Sequence, residues 1–170
     1  MTNDLKKYLN ISMIAALYTV VSLIFAPFSY ADIQVRLAEA LIVIVLFKKE
    51  AIYGLTLGCF LTNLIGLMMG YNIIGLMDLF FGTFATFLSS YLAYQYRKKM
   101  IFNLPLLSLS FPVVLNALII GLELNLVLFP KFNLIQYMIL ASHVFIGQFI
   151  ACILIGLALY KFIKRINLFQ

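Results

Sequence analysis

The chain is 170 residues long, 65% hydrophobic and only 11% charged, with a formal net charge of +6 and a mean hydropathy of +1.09. Soluble domains carry about 25% charged residues, so this composition excludes an ordinary soluble fold and puts the chain in a membrane. The small positive balance reads as an orientation signal rather than a nucleic-acid surface, and Cys59 and Cys152, without Cys-x-x-Cys or Cys/His spacing, read as buried thiols rather than a metal site.

Hydropathy divides the sequence into six spans, at 8–28, 36–47, 51–69, 74–96, 104–129 and 133–163, separated by "SYAD", "KKE", "GYN", "RKK" and "PKFN". The first follows Lys6 and Lys7 and ends in "FSYA", which has the look of a leader cleavage site. At about 20 residues it is long enough to span and is expected to be retained. Its small residues Ser12, Ala15, Ala16, Thr19, Ser22 and Ala26 form an uncharged face, suited to an internal seam or to docking of a separate membrane protein.

The second span is short, because a vertical crossing of a ~30 Å hydrocarbon core needs about 20 residues. Tilt beside its neighbours, a locally thinned bilayer or an extended lead-in is expected to make up the depth. Gln34, Arg36 and Glu39 crowd its mouth. In the third span Gly54, Gly58, Thr62, Gly66 and Gly70 recur every four residues, a ladder that lets another helix approach closely. Asn63 lies in its outer half, and Asp78 one turn into the fourth span. Asn116 and Glu123, seven residues apart, share a face of the fifth. His143 and Gln148 lie in the sixth.

Orientation follows Lys and Arg in short flanking loops. With six spans, Lys6, Lys7, Lys48, Lys49, Arg97, Lys98, Lys99, Lys161, Lys164 and Arg165 fall on one side, and only Arg36 and Lys131 on the other. Both termini are therefore expected in the cytoplasm, in one all-α membrane domain covering 1–170. The intramembrane polar residues then gather in the outer half, with Gln148 as the main exception, as an outward-facing solute pocket requires. Tyr71, Phe80, Phe81, Phe129 and Tyr137 lie at that level and suit either ring stacking or an interfacial belt.

Each polar residue also has a structural reading. Arg36 and Glu39 could form an ion pair three residues apart; Asn63 and Gln148 could be interhelical hydrogen-bond partners; His143 could be a satisfied core residue. Asp78 and Glu123 have no obvious basic partner left on the outer side, which favours function. Carboxylates and amides together suit a ligand with several N–H donors. No phosphate loop, H-E-x-x-H or G-x-S-x-G motif occurs, and no cofactor is implied. Ser142 and His143 are helix neighbours pointing different ways, which gives a hydrolase little support.

The segments "IQVRLAEAL", "KKEAIYGLTLGCFLTNLIG", "DLFFGTFATFLSSYLAY" and "PVVLNALIIGLEL" together resemble the queuosine-precursor transporter (QueT) family, the substrate-binding S components of energy-coupling factor (ECF) transporters. The likeness runs from about Ser12 to Leu159, and its most specific parts are Q-x-R-x-x-E-A-L and N-A-L-I-x-G-L-E. It implies a six-helix bundle in a bacterial plasma membrane that captures its substrate from outside. It also implies a transmembrane T component and two cytoplasmic ATPases as partners, and release by toppling. The family's Ala-x-x-x-Ala docking face maps onto "SMIAALY", as Ser12 and Ala16 or, in the alternative register, Ala15 and Thr19. The implied substrate is a 7-deazaguanine base: Glu123 or Glu39 toward its N–H edge, Asn116, Gln34 or Arg36 toward its carbonyl, and Asp78 toward an aminomethyl cation. Ala31 to Val35 would form a lid. The rival readings are an S component for a vitamin or another nucleobase, a stand-alone facilitator, and a small membrane enzyme or assembly protein.

Overall fold

The computed structural model describes residues 2–26, 36–70 and 75–166, and within them the chain forms helices and no strands. In order these are α1 (Asn3–Ile24), a 3₁₀ helix (Leu37–Leu46), α2 (Ala51–Met68), α3 (Leu76–Gln95), α4 (Leu106–Leu128), α5 (Leu134–Gln148), a π-helical segment (Phe149–Ile155) and α6 (Gly156–Arg165). The last three join into one run of 32 residues, Leu134–Arg165. Five helices are long and apolar enough to cross a membrane, and Leu37–Leu46 is a shorter apolar one.

The short helix lies at the centre of the bundle, touching α1, α2, α3, α4, the π segment and α6. Ala38, Glu39, Ala40, Ile42, Val43, Ile44 and Val45 are all buried, as expected of a helix apolar on every side. Its 3₁₀ winding lengthens it: at about 2.0 Å per residue, ten residues reach about 20 Å, against about 15 Å for an α-helix. Runs of 3₁₀ helix beyond a few residues are uncommon, and packing on every side is what holds this one. The lead-in expected to help lies outside the described residues.

The bundle is turned inside out relative to a soluble one. Along α3, Asp78, Gly82, Ala85, Thr86, Ser89, Ser90 and Ala93 face inward, while Phe80, Phe84, Phe87 and Tyr91 face outward. Lipid is as apolar as leucine, so small residues that admit close backbone approach are the better interior. The glycine ladder of α2 works this way against α1. A Cβ on Gly54 would stand 2.8 Å from Cβ of Ile14, and one on Gly58 2.7 Å from Cβ of Tyr18 and 2.9 Å from the Ala15 carbonyl. Thr19 closes the seam by donating to the Gly58 carbonyl at 3.2 Å. Gly70 does different work: it follows the helix end at φ 73°, with no described residue within 4 Å of where a Cβ would stand. Gly58→Leu should therefore separate α1 from α2 and cost about 1–3 kcal/mol, measurable as a lower thermal midpoint in detergent.

At one end of the bundle Phe47 stacks on Tyr160 at 5.8 Å, and Tyr160 belongs to a cluster that includes Val45, Ile52, Ala93, Leu109 and Ile163. Arg97 lies over the Tyr94 ring, Lys99 over Tyr96 and Lys164 over Tyr160. Between α3 and α4 the chain reverses in a tight turn closed by both backbone hydrogen bonds of Ile101 and Leu104, with Phe102 and Asn103 at positive φ. At the other end, Asn133 caps α5 by accepting from Ile135 and Gln136, and Asn125 is tied to the Asn133 backbone.

Candidate substrate-binding site

Polar side chains from α1 to α5, the 3₁₀ helix and the π segment converge in the interior, on two levels. The upper level begins with Arg36, which leads into the 3₁₀ helix and donates to Asp78 Oδ1 at 2.8 Å as a buried ion pair. Asn63 of α2 donates to the Asp78 carbonyl at 2.7 Å. Gly82, one turn beyond Asp78, leaves room for this arrangement. A Cβ there would stand 2.5 Å from Asp78 Oδ1, 2.8 Å from Asn63 Nδ2 and 3.2 Å from an Arg36 nitrogen. Gly82→Ala is therefore expected to push the ion pair off its geometry and cost about 1–2 kcal/mol of stability. Thermal denaturation of the purified variant checks this.

On the lower level Glu39 Oε1 accepts from the Tyr18 hydroxyl at 2.7 Å and the Thr86 hydroxyl at 2.8 Å. Cys152, in the π segment, lies with its sulfur 3.7 Å from the Glu39 carbonyl and 3.4 Å from Gln148 Oε1.

Against this framework three amide or carboxyl side chains stand out, beside the hydroxyls of Thr83, Ser89, Ser90 and Ser108, which are also buried without a described partner. Asn116 and Glu123 of α4 and Gln148 of α5 are each 0% exposed. Neither Asn116 Nδ2 nor Oδ1, neither carboxylate oxygen of Glu123, and not Gln148 Nε2 has a partner among the described residues. Buried polar groups are nearly always paired, and each unpaired one costs about 1–3 kcal/mol, more when charged. Their helices are held in register around them. Gly121 meets Ala141, Ile120 and Leu124 pack with Ala85 and Val144, and Val113 packs with Ala151 and Cys152. Gly121 beside Ala141 and Val113 beside Ala151 and Cys152 fix the antiparallel register of α4 and α5, which puts Asn116 level with Gln148.

The residues singled out from sequence fall into distinct groups. Asn116 and Glu123 offer open hydrogen-bonding positions, while Arg36, Glu39, Asn63 and Asp78 form the framework next to them. One alternative reading and one expectation are corrected. Arg36 pairs with Asp78, 42 residues away, rather than with Glu39; and Asp78, expected to lack a basic partner, has one, because the fold brings the start of the 3₁₀ helix against α3. His143 is half-buried and makes no hydrogen bond with another described residue. Gln34, Tyr71 and the Ala31–Val35 stretch lie outside the described residues. Phe80 faces outward, Phe81 and Phe129 are half-buried, and Tyr137 packs on Phe132 at 6.0 Å, while Tyr18 joins the polar cluster through its hydrogen bond to Glu39. Tyr18, Gly82, Thr86 and Cys152 were not anticipated. Only Gly82 left a signal, as a glycine one helical turn after an intramembrane acid.

The α1 face is also resolved. Ala15 and Thr19 are buried against α2, whereas Ser12 and Ala16 are exposed.

A family model, the QueT transporter, matches residues 8–165, nearly the whole chain. No curated protein and no solved structure matches it. A transporter family and several apolar membrane-capable helices together mark a membrane protein engaged in transport rather than an enzyme.

Proposed function

This chain belongs to the QueT transporter family, and within it we propose that the protein is the substrate-capturing S component of an ECF-type importer for a queuosine precursor, a 7-deazaguanine base. The observation that carries this reading is the set of orphaned atoms on Asn116, Glu123 and Gln148. Two carboxylate oxygens accept from two adjacent N–H groups, and amide N–H groups donate to a carbonyl, which is the hydrogen-bonding edge of a guanine-like ring. Glu123 takes the N–H edge in preference to Glu39, whose Oε1 is already committed to Tyr18 and Thr86. Asp78 is neutralised by Arg36, so the pair supports the pocket rather than meeting a substrate cation.

In this reading six spans, Leu37–Leu46 among them, cross a bacterial plasma membrane with both termini in the cytoplasm, the arrangement favoured by the ten-to-two distribution of basic residues. The pocket opens outward. A T component docks on α1 through Ser12 and Ala16, because Ala15 and Thr19 are occupied by α2. Two cytoplasmic ATPases drive release, consistent with a chain that carries no phosphate loop.

Whole-cell uptake tests the assignment. Cells expressing this chain together with a T component and ATPases should accumulate labelled 7-deazaguanine base, and cells expressing the chain alone should not. Equal accumulation without ATPases would make the protein a stand-alone facilitator, and accumulation of a vitamin instead would move the substrate class.

A further inference from the structure

Gln148 was the polar residue that lay too deep for an outer pocket, and its surroundings give it a specific role. It is fully buried at the junction of α5 with the π segment, level with Asn116 across the α4 seam. One turn later Cys152 directs its thiol at Gln148 Oε1, 3.4 Å away. A thiol is a donor of hydrogen and a poor acceptor, so the amide turns its oxygen toward sulfur. Its nitrogen then faces the other way, and that nitrogen has no partner. The same sulfur lies 3.7 Å from the Glu39 carbonyl of the buried 3₁₀ helix; its single hydrogen serves one acceptor, and the contact to Gln148 is the shorter. π-Helical turns inside α-helices are frequent at functional sites, and this one sets Cys152 against the central helix.

We propose that Gln148 is a specificity-determining residue that donates to a carbonyl oxygen of a planar heterocyclic ligand, and that Cys152 is a positioning residue that fixes the direction of its amide. The inference rests on the solute-capture reading above and deepens it. Glu123 reads N–H groups and Gln148 reads the oxygen beside them, with Asn116 at the same depth as Gln148. The pocket thus discriminates at the ring carbonyl, a position where purine-like solutes differ by a single atom or group.

The test compares a 7-deazaguanine base with its 6-thio analogue, which keeps every N–H but replaces the carbonyl oxygen by sulfur, a weak acceptor. Both are titrated into the purified full chain. The wild type should prefer the oxo base by about tenfold, the worth of one buried hydrogen bond. In Gln148→Met the preference should fall to near unity, chiefly because the oxo base binds more weakly. Cys152→Ala, which removes only one sulfur atom, should reduce the preference to an intermediate value and serves as the second variant where Gln148→Met does not fold. A merely structural role would weaken both bases equally and leave the ratio unchanged. An unchanged ratio in both variants therefore overturns the inference while the capture function stands. Failure of the wild type to bind either base overturns the capture function and the inference together.

Discussion

Glu123→Gln is expected to weaken binding of the base by about a hundredfold and, at the same time, to raise the thermal midpoint of the ligand-free protein. The two effects have one cause. Both carboxyl oxygens are buried and unpartnered among the described residues, so the empty protein holds a desolvated acidic group that no described donor satisfies. An amide of the same shape cannot carry a desolvated charge, so the variant escapes that cost. With ligand bound, the ionised carboxylate accepts two N–H groups. Charge-assisted hydrogen bonds contribute about 1.5–3 kcal/mol each, and an amide that can accept at only one atom forfeits about 3 kcal/mol, a hundredfold in Kd. Titration and thermal denaturation of the same preparation read both quantities. A core glutamate without a ligand role would leave binding unmoved, and a stabilising one would lower the midpoint.

Breaking the Arg36–Asp78 pair should have the largest effect on stability. Both partners are buried, with side chains 9% and 0% exposed. Arg36→Met strands the carboxylate of Asp78, and Asp78→Asn strands the guanidinium; each is expected to cost about 3–5 kcal/mol. The double variant removes both charges, so it should recover at least about 2 kcal/mol of the summed loss. Denaturation of the four proteins in one detergent closes the cycle. Strictly additive losses would show that the pair contributes no coupling and that each residue acts through other contacts.

Local pattern made part of this site legible. Asn116 and Glu123 are two turns apart on one helix, so their shared face follows from helical periodicity alone. The glycine ladder of α2 likewise announced a close helix contact, and Gly54 and Gly58 make it against α1. The Arg36–Asp78 pair was not legible, because it joins residues 42 apart across elements whose packing no local rule fixes. The partners of Glu39 were hidden for the same reason, since Tyr18 and Thr86 come from helices on either side of it. Helix type escaped as well. Nothing in "LAEALIVIVL" distinguishes a 3₁₀ from an α winding, and nothing in "FIACILI" announces a π segment. Both depend on what surrounds the backbone. Gln148 shows the practical consequence: depth along the sequence set it apart from the pocket, whereas the antiparallel register of α4 and α5 returns it to the level of Asn116.

The most direct test is calorimetric titration of the detergent-purified protein with a panel of 7-deazaguanine bases, guanine and several vitamins. Submicromolar binding of at least one deazaguanine, lost in Glu123→Gln, is the expected result. Silence across the deazaguanines, or binding that Glu123→Gln leaves intact, would contradict a pocket built on the orphaned atoms of Asn116, Glu123 and Gln148.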